Sequence, residues 1–370
     1  MKQHAAAWVK GSIKYGIGFG LLALVIARYW ADDPNGGAPG LRTLLGGPVD
    51  FGWLALASVL IAAGLSCQLV RWYILVRALD LPFGVRNAFR LGLVGVFANT
   101  FLPGAVGGDL LKAYFLAREQ PERKTRAVAS VIADRALGLF GLILFVAVLG
   151  SVAWALGDSR ITTNAGLQKM VQVTGLIAAA SGAGFLLLGL LPQRRVDRFA
   201  GRLRWLPVVG RSCAELWYAV WMYRQRLKAV GAGVALSAVS HLGLVFAFHC
   251  AARVFPPENA DTDRATLAEH LVIAPIGFIV QALPLSPGGV GVGEAAFAGL
   301  YRLSGRPESR GVIARLSLRL VEWIIGLVGY LVYLRMTASR EIPTIEEVED
   351  EAEAEARRTD GTVVAPAEGG

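Results

Sequence analysis

Two glycine-rich turns, each led by a proline and ended by a carboxylate, interrupt apolar segments of the chain. The first covers residues 103–109 and the second residues 287–294. A glycine-rich turn leaves backbone N–H groups free, and a helix that starts there points its positive dipole end at the same place. Such a turn can bind a phosphate without a cationic side chain, so the pattern predicts a site for a lipid headgroup.

Prolines and glycines have separate tasks in these turns. Proline enforces the break because it lacks an N–H donor and crowds the preceding helical turn. Glycine allows positive φ angles and the close approach of a second backbone or a headgroup. The candidate residues of the first turn are Asn99, Pro103, Gly104, Gly107, Gly108 and Asp109, and those of the second are Gln281, Pro287, Gly288, Gly289, Gly291 and Glu294. We expect Asn99 and Gln281 to cap freed backbone.

The two acids, Asp109 and Glu294, allow two interpretations. An acid in the first turn of a helix commonly only complements the helix dipole. Inside an apolar segment, an ionisable residue is a functional candidate, here for holding an amine-bearing headgroup or carrying a proton. A phosphate bound beside these acids needs compensating cations, and Lys112 is the nearest along the chain.

Further charged residues fall inside apolar segments. Asp134 and Arg135 lie near the start of the apolar segment 128–156. Arg315, Arg319 and Glu322 share one face of the last helix because they are four and three residues apart. They should face the protein interior. The pattern leaves open whether they bind substrate or only neutralise one another.

The elements that position these residues are predicted to be membrane helices. Of 370 residues, 54% are hydrophobic and 18% charged, and the mean hydropathy is +0.50. A hydrocarbon core of ~30 Å takes about 20 helical residues, and runs of this kind lie near 15–30, 51–70, 128–156, 170–191, 229–252 and 311–334. Segments 88–117 and 266–301 contain the turns, and broken backbone at membrane depth must be buried in protein or line a wet cavity.

We therefore predict an all-α fold, a polytopic membrane helical bundle. It has about six full spans plus two re-entrant broken helices in an inverted-repeat-like arrangement. The membrane domain covers residues 1–340. Residues 341–370 carry ten acids and two bases, and we expect a disordered acidic tail there.

Loop charge predicts the orientation. Segment 192–228 holds nine bases against two acids, which indicates the cytoplasm, while loops 31–50 and 254–270 are poor in positive charge and should be external. Both termini then lie in the cytoplasm. The first broken helix enters from the cytoplasmic side and the second from outside. This places Arg302, Arg306 and Arg310 outside, whereas a full crossing by 266–301 would place them inside.

The basic segment 192–228 also contains Trp205, Trp217 and Trp221. This mixture suits an amphipathic helix on an anionic leaflet, and a positive loop that only sets topology is the equal alternative. We expect no nucleic acid as a partner, because no binding motif accompanies the charge.

Metal and redox chemistry are not expected. Cys67, Cys213 and Cys250 are scattered without metal-ligand or disulfide spacing. His241 and His249 lie two turns apart on one span and are expected to make hydrogen bonds between helices. We predict no metal and no cofactor. Several glycines in the spans would permit close helix packing, a weak indication of a homodimer.

At the turns the sequence resembles the flippase-like family, also called the lysylphosphatidylglycerol synthetase transmembrane region. The resemblance covers roughly residues 10–336 and rests on three motifs in the correct order. These are Asn99-Thr100-Phe101-Leu102-Pro103-Gly104 leading to Gly107-Gly108-Asp109, then Asp134-Arg135-Ala136-Leu137-Gly138, then Ser286-Pro287-Gly288-Gly289 with Gly291 and Glu294.

The resemblance implies a multi-pass protein of a bacterial or archaeal cytoplasmic membrane. In the best understood relatives this region moves an aminoacylated phospholipid between leaflets, and in others it accompanies glycosyltransferases that act on lipid carriers. Those synthetases add a soluble aminoacyl-transferring domain, whereas this sequence ends in a short acidic tail. Aminoacyl transfer from tRNA is therefore not expected.

The sequence favours a lipid translocase or lipid-handling carrier whose partners are membrane lipids. An integral membrane transferase is the rival, but no nucleophile and base constellation is recognisable. A third alternative is a non-transporting subunit for a separately encoded lipid-modifying enzyme.

Overall fold

The computed structural model describes residues 2–33, 39–102, 107–157, 162–205, 210–256, 265–283, 285–345, 347–348 and 351. Side chains are described from Tyr15 onward, except at 189, 210–212 and 215–216. The described chain is all-α and contains no strand. Pro103 and Gly104 lie outside the described residues, as do 257–264 and 352–370.

Thirteen α-helices follow one another in the described chain. They are α1 (Lys2–Arg28), α2 (Leu41–Gly46), α3 (Phe51–Ala78), α4 (Val85–Phe101), α5 (Gly108–Glu119), α6 (Lys124–Ala155), α7 (Ala165–Gly189), α8 (Gln193–Leu203), α9 (Gly210–Met222), α10 (Leu227–Ala251), α11 (Leu267–Gln281), α12 (Val292–Leu303) and α13 (Glu308–Ala338). Short 3-10 turns lie at Pro121–Arg123, Tyr223–Gln225 and Pro287–Gly289.

Each of the six predicted spans falls on one of these helices. By length and composition, α3, α6, α7 and α10 are apolar enough to cross a membrane. The apolar part of α1, Tyr15–Arg28, is shorter. Helix α13 has 31 residues, about 46 Å, and its arginines Arg310, Arg315 and Arg319 are buried. The prediction of a polytopic helical membrane protein is confirmed.

The two broken segments fold as helical hairpins, α4 with α5 and α11 with α12. These helices have 17, 12, 15 and 12 residues. At 1.5 Å per residue they measure about 18–26 Å, less than a ~30 Å hydrocarbon core. In the first hairpin, a Cβ added to Gly108 would lie 1.8 Å from the carbonyl oxygen of Gly95, so only glycine allows this helix contact.

The first hairpin opens at the face of the bundle where α3 ends and α10 begins. Asp80 forms an ion pair of 2.6 Å with Arg226 there. Beside them, the side-chain amide of Gln120 donates to the carbonyl of Pro82, at 3.2 Å, across the open end of the hairpin.

The second hairpin opens at the opposite face. The backbone N–H of Asp50, which precedes α3, donates to the carbonyl of Val254, beyond the end of α10. The side chain of Asn164, which precedes α7, donates to the carbonyl of Leu303, at the end of α12. The two hairpins therefore enter the bundle from opposite faces. Which face is cytoplasmic stays a prediction.

Three arginines that loop charge placed on the external side are all engaged at this second face. Arg306 donates to Glu269 at 3.2 Å, Arg310 donates to the carbonyl of Phe255 at 3.0 Å, and Arg302 contacts Glu308 at 3.4 Å. Residues 266–301 turn back rather than cross. Local pairing is the physical reason that these positive charges can lie beside acidic loops.

Helices α8 and α9 form a separate hairpin. The indole N–H of Trp217 donates to the carbonyl of Val196, and the rings of Phe199 and Trp217 are 4.6 Å apart. Val196 and Ala200 are buried, while the bases of α8 are exposed. The predicted amphipathic helix is present, and its apolar side packs on α9. Its contact with a leaflet stays a prediction.

The described part of the acidic tail packs on the helices. Ile342 and Val348 are buried in the same apolar cluster as residues of α4 and α5. Glu341 forms an ion pair of 2.6 Å with Arg90, on α4. The packed body thus continues past the predicted boundary at residue 340, because two apolar side chains in the acidic segment find a buried surface.

Candidate functional site

The second glycine turn meets the end of α4, the helix that leads into the first turn. A Cβ added to Gly288 would lie 3.8 Å from the carbonyl oxygen of Asn99 and from Cα of Thr100, at the end of α4. In the second turn, Gly288, Gly289 and Gly291 have φ angles of 56°, 65° and 77°. These are left-handed conformations that favour glycine. The sequence-predicted glycines thus shape a turn that reaches the other broken helix.

Arg319 closes the second turn from α13. Its guanidinium donates to the carbonyls of Gly288 and Gly289, at 3.1 and 3.0 Å, and to both carboxylate oxygens of Glu294, at 2.5 and 3.1 Å. Glu294 also accepts the N–H of Gly291 at 2.8 Å. The Glu294 and Arg319 side chains are 0% and 3% exposed. Arg319 therefore caps the broken backbone, and Glu294 balances its charge.

A second arginine of α13 lies beside this pair. Arg315 donates through Nε to Gln281 and through Nη2 to Glu322, both at 2.7 Å. Gln281 thus binds an arginine instead of the freed carbonyls that the sequence suggested. Arg315 is 0% exposed, and its Nη1 has no hydrogen-bond partner in the described part of the chain.

The first turn carries a more open charge cluster. Asn99 accepts the N–H of Gly108 at 2.8 Å, which confirms its capping role. Asp109 forms a short ion pair with Nε of Arg135 through one oxygen and faces Lys112 at 3.4 Å through the other. The Asp109, Lys112 and Arg135 side chains are 29%, 11% and 57% exposed.

Asp134 turns away from this cluster. It accepts a hydrogen bond of 2.7 Å from Arg71, which also donates to Ser237 at 2.7 Å, and the ion pair is buried. The sequence analysis did not identify Arg71 as a functional candidate. Its position inside α3, seven residues before the helix ends, was the available signal.

An apolar cavity lies between α1, the end of α4, the second turn and α13. Its volume is about 190 Å³, and the hydroxyl of Tyr15 donates to the carbonyl of Phe101 at its edge, at 2.7 Å. The cavity is lined by Tyr15, Gly18, Phe19, Thr100, Phe101, Pro287, Val290 and Trp323. Its lining suits hydrocarbon, while the charged groups lie elsewhere around the turns.

The histidines make contacts between helices. Nε2 of His241 lies 3.0 Å from the carbonyl oxygen of Gly138, and Nδ1 of His249 lies 2.6 Å from Nδ1 of His270. Nε2 of His270 lies 2.7 Å from the hydroxyl of Tyr301. The expected interhelical hydrogen bonds of His241 and His249 are present. Among the described residues, no three potential metal ligands cluster.

A family model described as the lysylphosphatidylglycerol synthase TM region matches residues 17–329, from α1 through most of α13. The chain belongs to this family. The resemblance seen at the turns is confirmed, and both turns lie inside the match.

Two relatives of this family member come from Methanothermobacter thermautotrophicus, and each is called a UPF0104 membrane protein. One is 27% identical over 301 residues, which cover 75% of this chain and 83% of the relative. The other is 25% identical over 318 residues, which cover 81% and 88%. No solved structure matches the chain.

Proposed function

We propose that this member of the lysylphosphatidylglycerol synthase transmembrane-region family is a lipid translocase that moves a polar-headgroup lipid between leaflets. The carrying observation is that the two broken helices enter from opposite faces, and that the second turn meets the end of α4 beside an apolar cavity. A transporter built of inverted halves keeps its substrate site where broken helices meet.

The site separates the two parts that every membrane lipid has. The cationic side chains of Lys112 and Arg135 at the first turn offer partners for a headgroup. The cavity lined by Phe101, Val290 and Trp323 offers an apolar surface for the start of an acyl chain. A headgroup at this point is held away from hydrocarbon, which lowers the main barrier to its passage.

The broader setting follows from the same proposal. The protein acts in a bacterial or archaeal cytoplasmic membrane with both termini in the cytoplasm, and membrane lipids are its partners. A separately encoded enzyme that modifies the lipid would act before or after translocation. A homodimer is compatible with this role and is not needed for it.

Reconstitution tests the proposal. The purified full-length protein is placed in liposomes with a fluorescent phospholipid, and the fraction of probe reaching the outer leaflet is followed by chemical quenching. Wild-type protein should accelerate exchange over empty liposomes. Val290→Phe, which fills the cavity, should slow it strongly, whereas Val173→Phe on the exposed face of α7 should not.

Two outcomes would contradict translocation. Exchange no faster than in empty liposomes, with folded protein present, would favour the subunit or transferase alternatives. Equal rates for Val290→Phe and wild type would separate transport from the cavity. Thermal unfolding of each variant in detergent checks that a slow rate is not caused by misfolding.

A further inference from the structure

Three of the four candidate carboxylates are each paired with a buried arginine. Each pairs with an arginine at 2.5–2.7 Å, and the pairs are Glu294 with Arg319, Glu322 with Arg315, and Asp134 with Arg71. An incoming amine would have to displace a buried arginine and leave it without a counter-ion. Breaking a buried pair in this way is strongly unfavourable, so these acids do not offer a site for a cationic headgroup.

The fourth carboxylate, Asp109, has two cations. Arg135 binds one oxygen through Nε, and Lys112 lies 3.4 Å from the other, which is shielded from solvent and accepts no hydrogen bond within the described chain. Nζ of Lys112 also lies 5.2 Å from the ring centre of Trp72, a cation–π contact that holds the charge in place. One acid between two bases leaves a surplus positive charge at the first turn.

This surplus charge is accessible. The Arg135 side chain is 57% exposed and uses Nε for Asp109, so its terminal N–H groups can reach a ligand. Helix α5 begins at the same point, and its dipole adds positive potential. At the second turn, Nη1 of the buried Arg315 is a further donor without an acceptor in the described chain. The charged side chains beside the first turn thus carry a net positive charge.

We infer that the headgroup recognised at the turns is anionic: a phosphate-bearing group of net negative charge, bound at the first turn by Lys112 and Arg135. This inference rests on the proposed function and names its substrate class. Charge-assisted hydrogen bonds from a lysine and an arginine suit phosphate oxygens. Asp109 offsets one of these two positive charges and leaves a net positive charge for the ligand.

A binding measurement tests the inference apart from transport. Purified full-length protein in detergent is bound to fluorescent phosphatidylglycerol, which is then displaced by unlabelled anionic phosphatidylglycerol, zwitterionic phosphatidylethanolamine or cationic lysylphosphatidylglycerol. Phosphatidylglycerol should compete about tenfold or more better than the cationic lipid. Arg135→Gln should weaken phosphatidylglycerol binding about tenfold, the effect of one lost charge-assisted hydrogen bond.

Two variants control this result. Arg42→Gln removes the same charge from an exposed position of α2, outside the turns and the basic helix α8, and should bind phosphatidylglycerol like wild type. Lys112→Arg keeps the positive charge and should retain most of the affinity that Lys112→Gln loses. Since Arg135 is largely exposed, its glutamine variant should fold. The test therefore stays decisive even if a Lys112 variant does not fold.

The outcomes distinguish this inference from the proposed function. Equal or tighter binding of the cationic lipid, or unchanged affinity in Arg135→Gln, would overturn anion recognition even if liposome transport is observed. If the protein binds anionic lipids selectively but does not transport them, anion recognition would be upheld and the translocase proposal would be contradicted. Glycerol phosphate binding as tightly as phosphatidylglycerol would overturn the assignment to a lipid, since the phosphate would then be a soluble one.

Discussion

The two turns have similar sequences and different surroundings. At the second turn, Glu294 and Arg319 are 0% and 3% exposed and bind each other and the broken backbone. At the first turn, Asp109 and Arg135 are 29% and 57% exposed. The same motif, a glycine turn ended by an acid, is therefore buried in a network of ion pairs and backbone hydrogen bonds in one half, and accessible and charged in the other.

The difference comes from the helices that face each turn. The second turn lies against α13, whose arginines are already surrounded by protein. The first turn faces Lys112 on its own helix and Arg135 on the outer side of α6. Burial makes an ion pair expensive to break and unavailable to a ligand, while exposure leaves it cheap to rearrange. The comparison assigns stability to the second turn and recognition to the first.

The largest effect should follow from Arg319→Gln. This change leaves Glu294 buried without its counter-ion and two turn carbonyls without donors, so we expect a loss of about 3–5 kcal/mol in unfolding free energy. Arg135→Gln at the first turn should lose less than about 1 kcal/mol, because that pair is exposed. Thermal unfolding in detergent measures both.

A control refines this first test. The double variant Glu294→Gln with Arg319→Gln removes both charges and should recover part of the stability that Arg319→Gln loses. If Arg135→Gln proves more destabilising than Arg319→Gln, the assignment of a structural role to the second turn is wrong.

Valine in the two turns should have unequal effects. At Gly289, φ is +65° and a Cβ would lie 2.4 Å from Cγ of Gln281, so Gly289→Val should lose about 2–4 kcal/mol. At Gly107, φ is −65° and the nearest atom to an added Cβ is Oδ1 of Asn99 at 3.6 Å. Gly107→Val should fold, as measured by thermal unfolding, and comparable losses at both positions would contradict the comparison.

The two acids should respond differently to amide substitution. Glu294→Gln leaves Arg319 buried and uncompensated and should markedly lower the unfolding temperature. Asp109→Asn should lower it less, because Arg135 is 57% exposed, and should leave phosphatidylglycerol binding unchanged or tighter, because the positive charge at the first turn grows. Loss of phosphatidylglycerol binding in a folded Asp109→Asn protein would show that the acid takes part directly.

The smallest effect concerns the tail contact on the open end of the first hairpin. Hydrogen bonds from Arg90 and Ser339 hold the pKa of Glu341 below its ordinary value of 4.5. The pKa of Glu341 is lower in the folded protein than in the unfolded chain, so the contact stabilises the protein at neutral pH. This stabilisation is lost as the pH falls below 4.5 and through the lowered pKa, because the carboxylate becomes protonated. Glu341→Gln should slightly reduce thermal stability at neutral pH and make no difference in more acidic buffer.

The broken helices could be predicted from the sequence because their causes are local. A proline followed by clustered glycines interrupts a helix, and α4 and α11 both end before such a cluster, whereas the single Pro275 lies within α11. Long apolar runs similarly predicted the spans, since hydrophobic length is a property of consecutive residues. The charges of α13 were expected to face the interior from their spacing alone.

Tertiary packing decides which charged residues form ion pairs with each other. Arg71 and Asp134 are 63 residues apart, and only the packing of α3 on α6 brings them to 2.7 Å. The burial of Ile342 and Val348 likewise needs a surface made by distant helices. Sequence therefore determined where the chain breaks and which charges enter the membrane domain. Tertiary structure alone made one turn closed and the other open, because solvent exposure depends on neighbours that are remote along the chain.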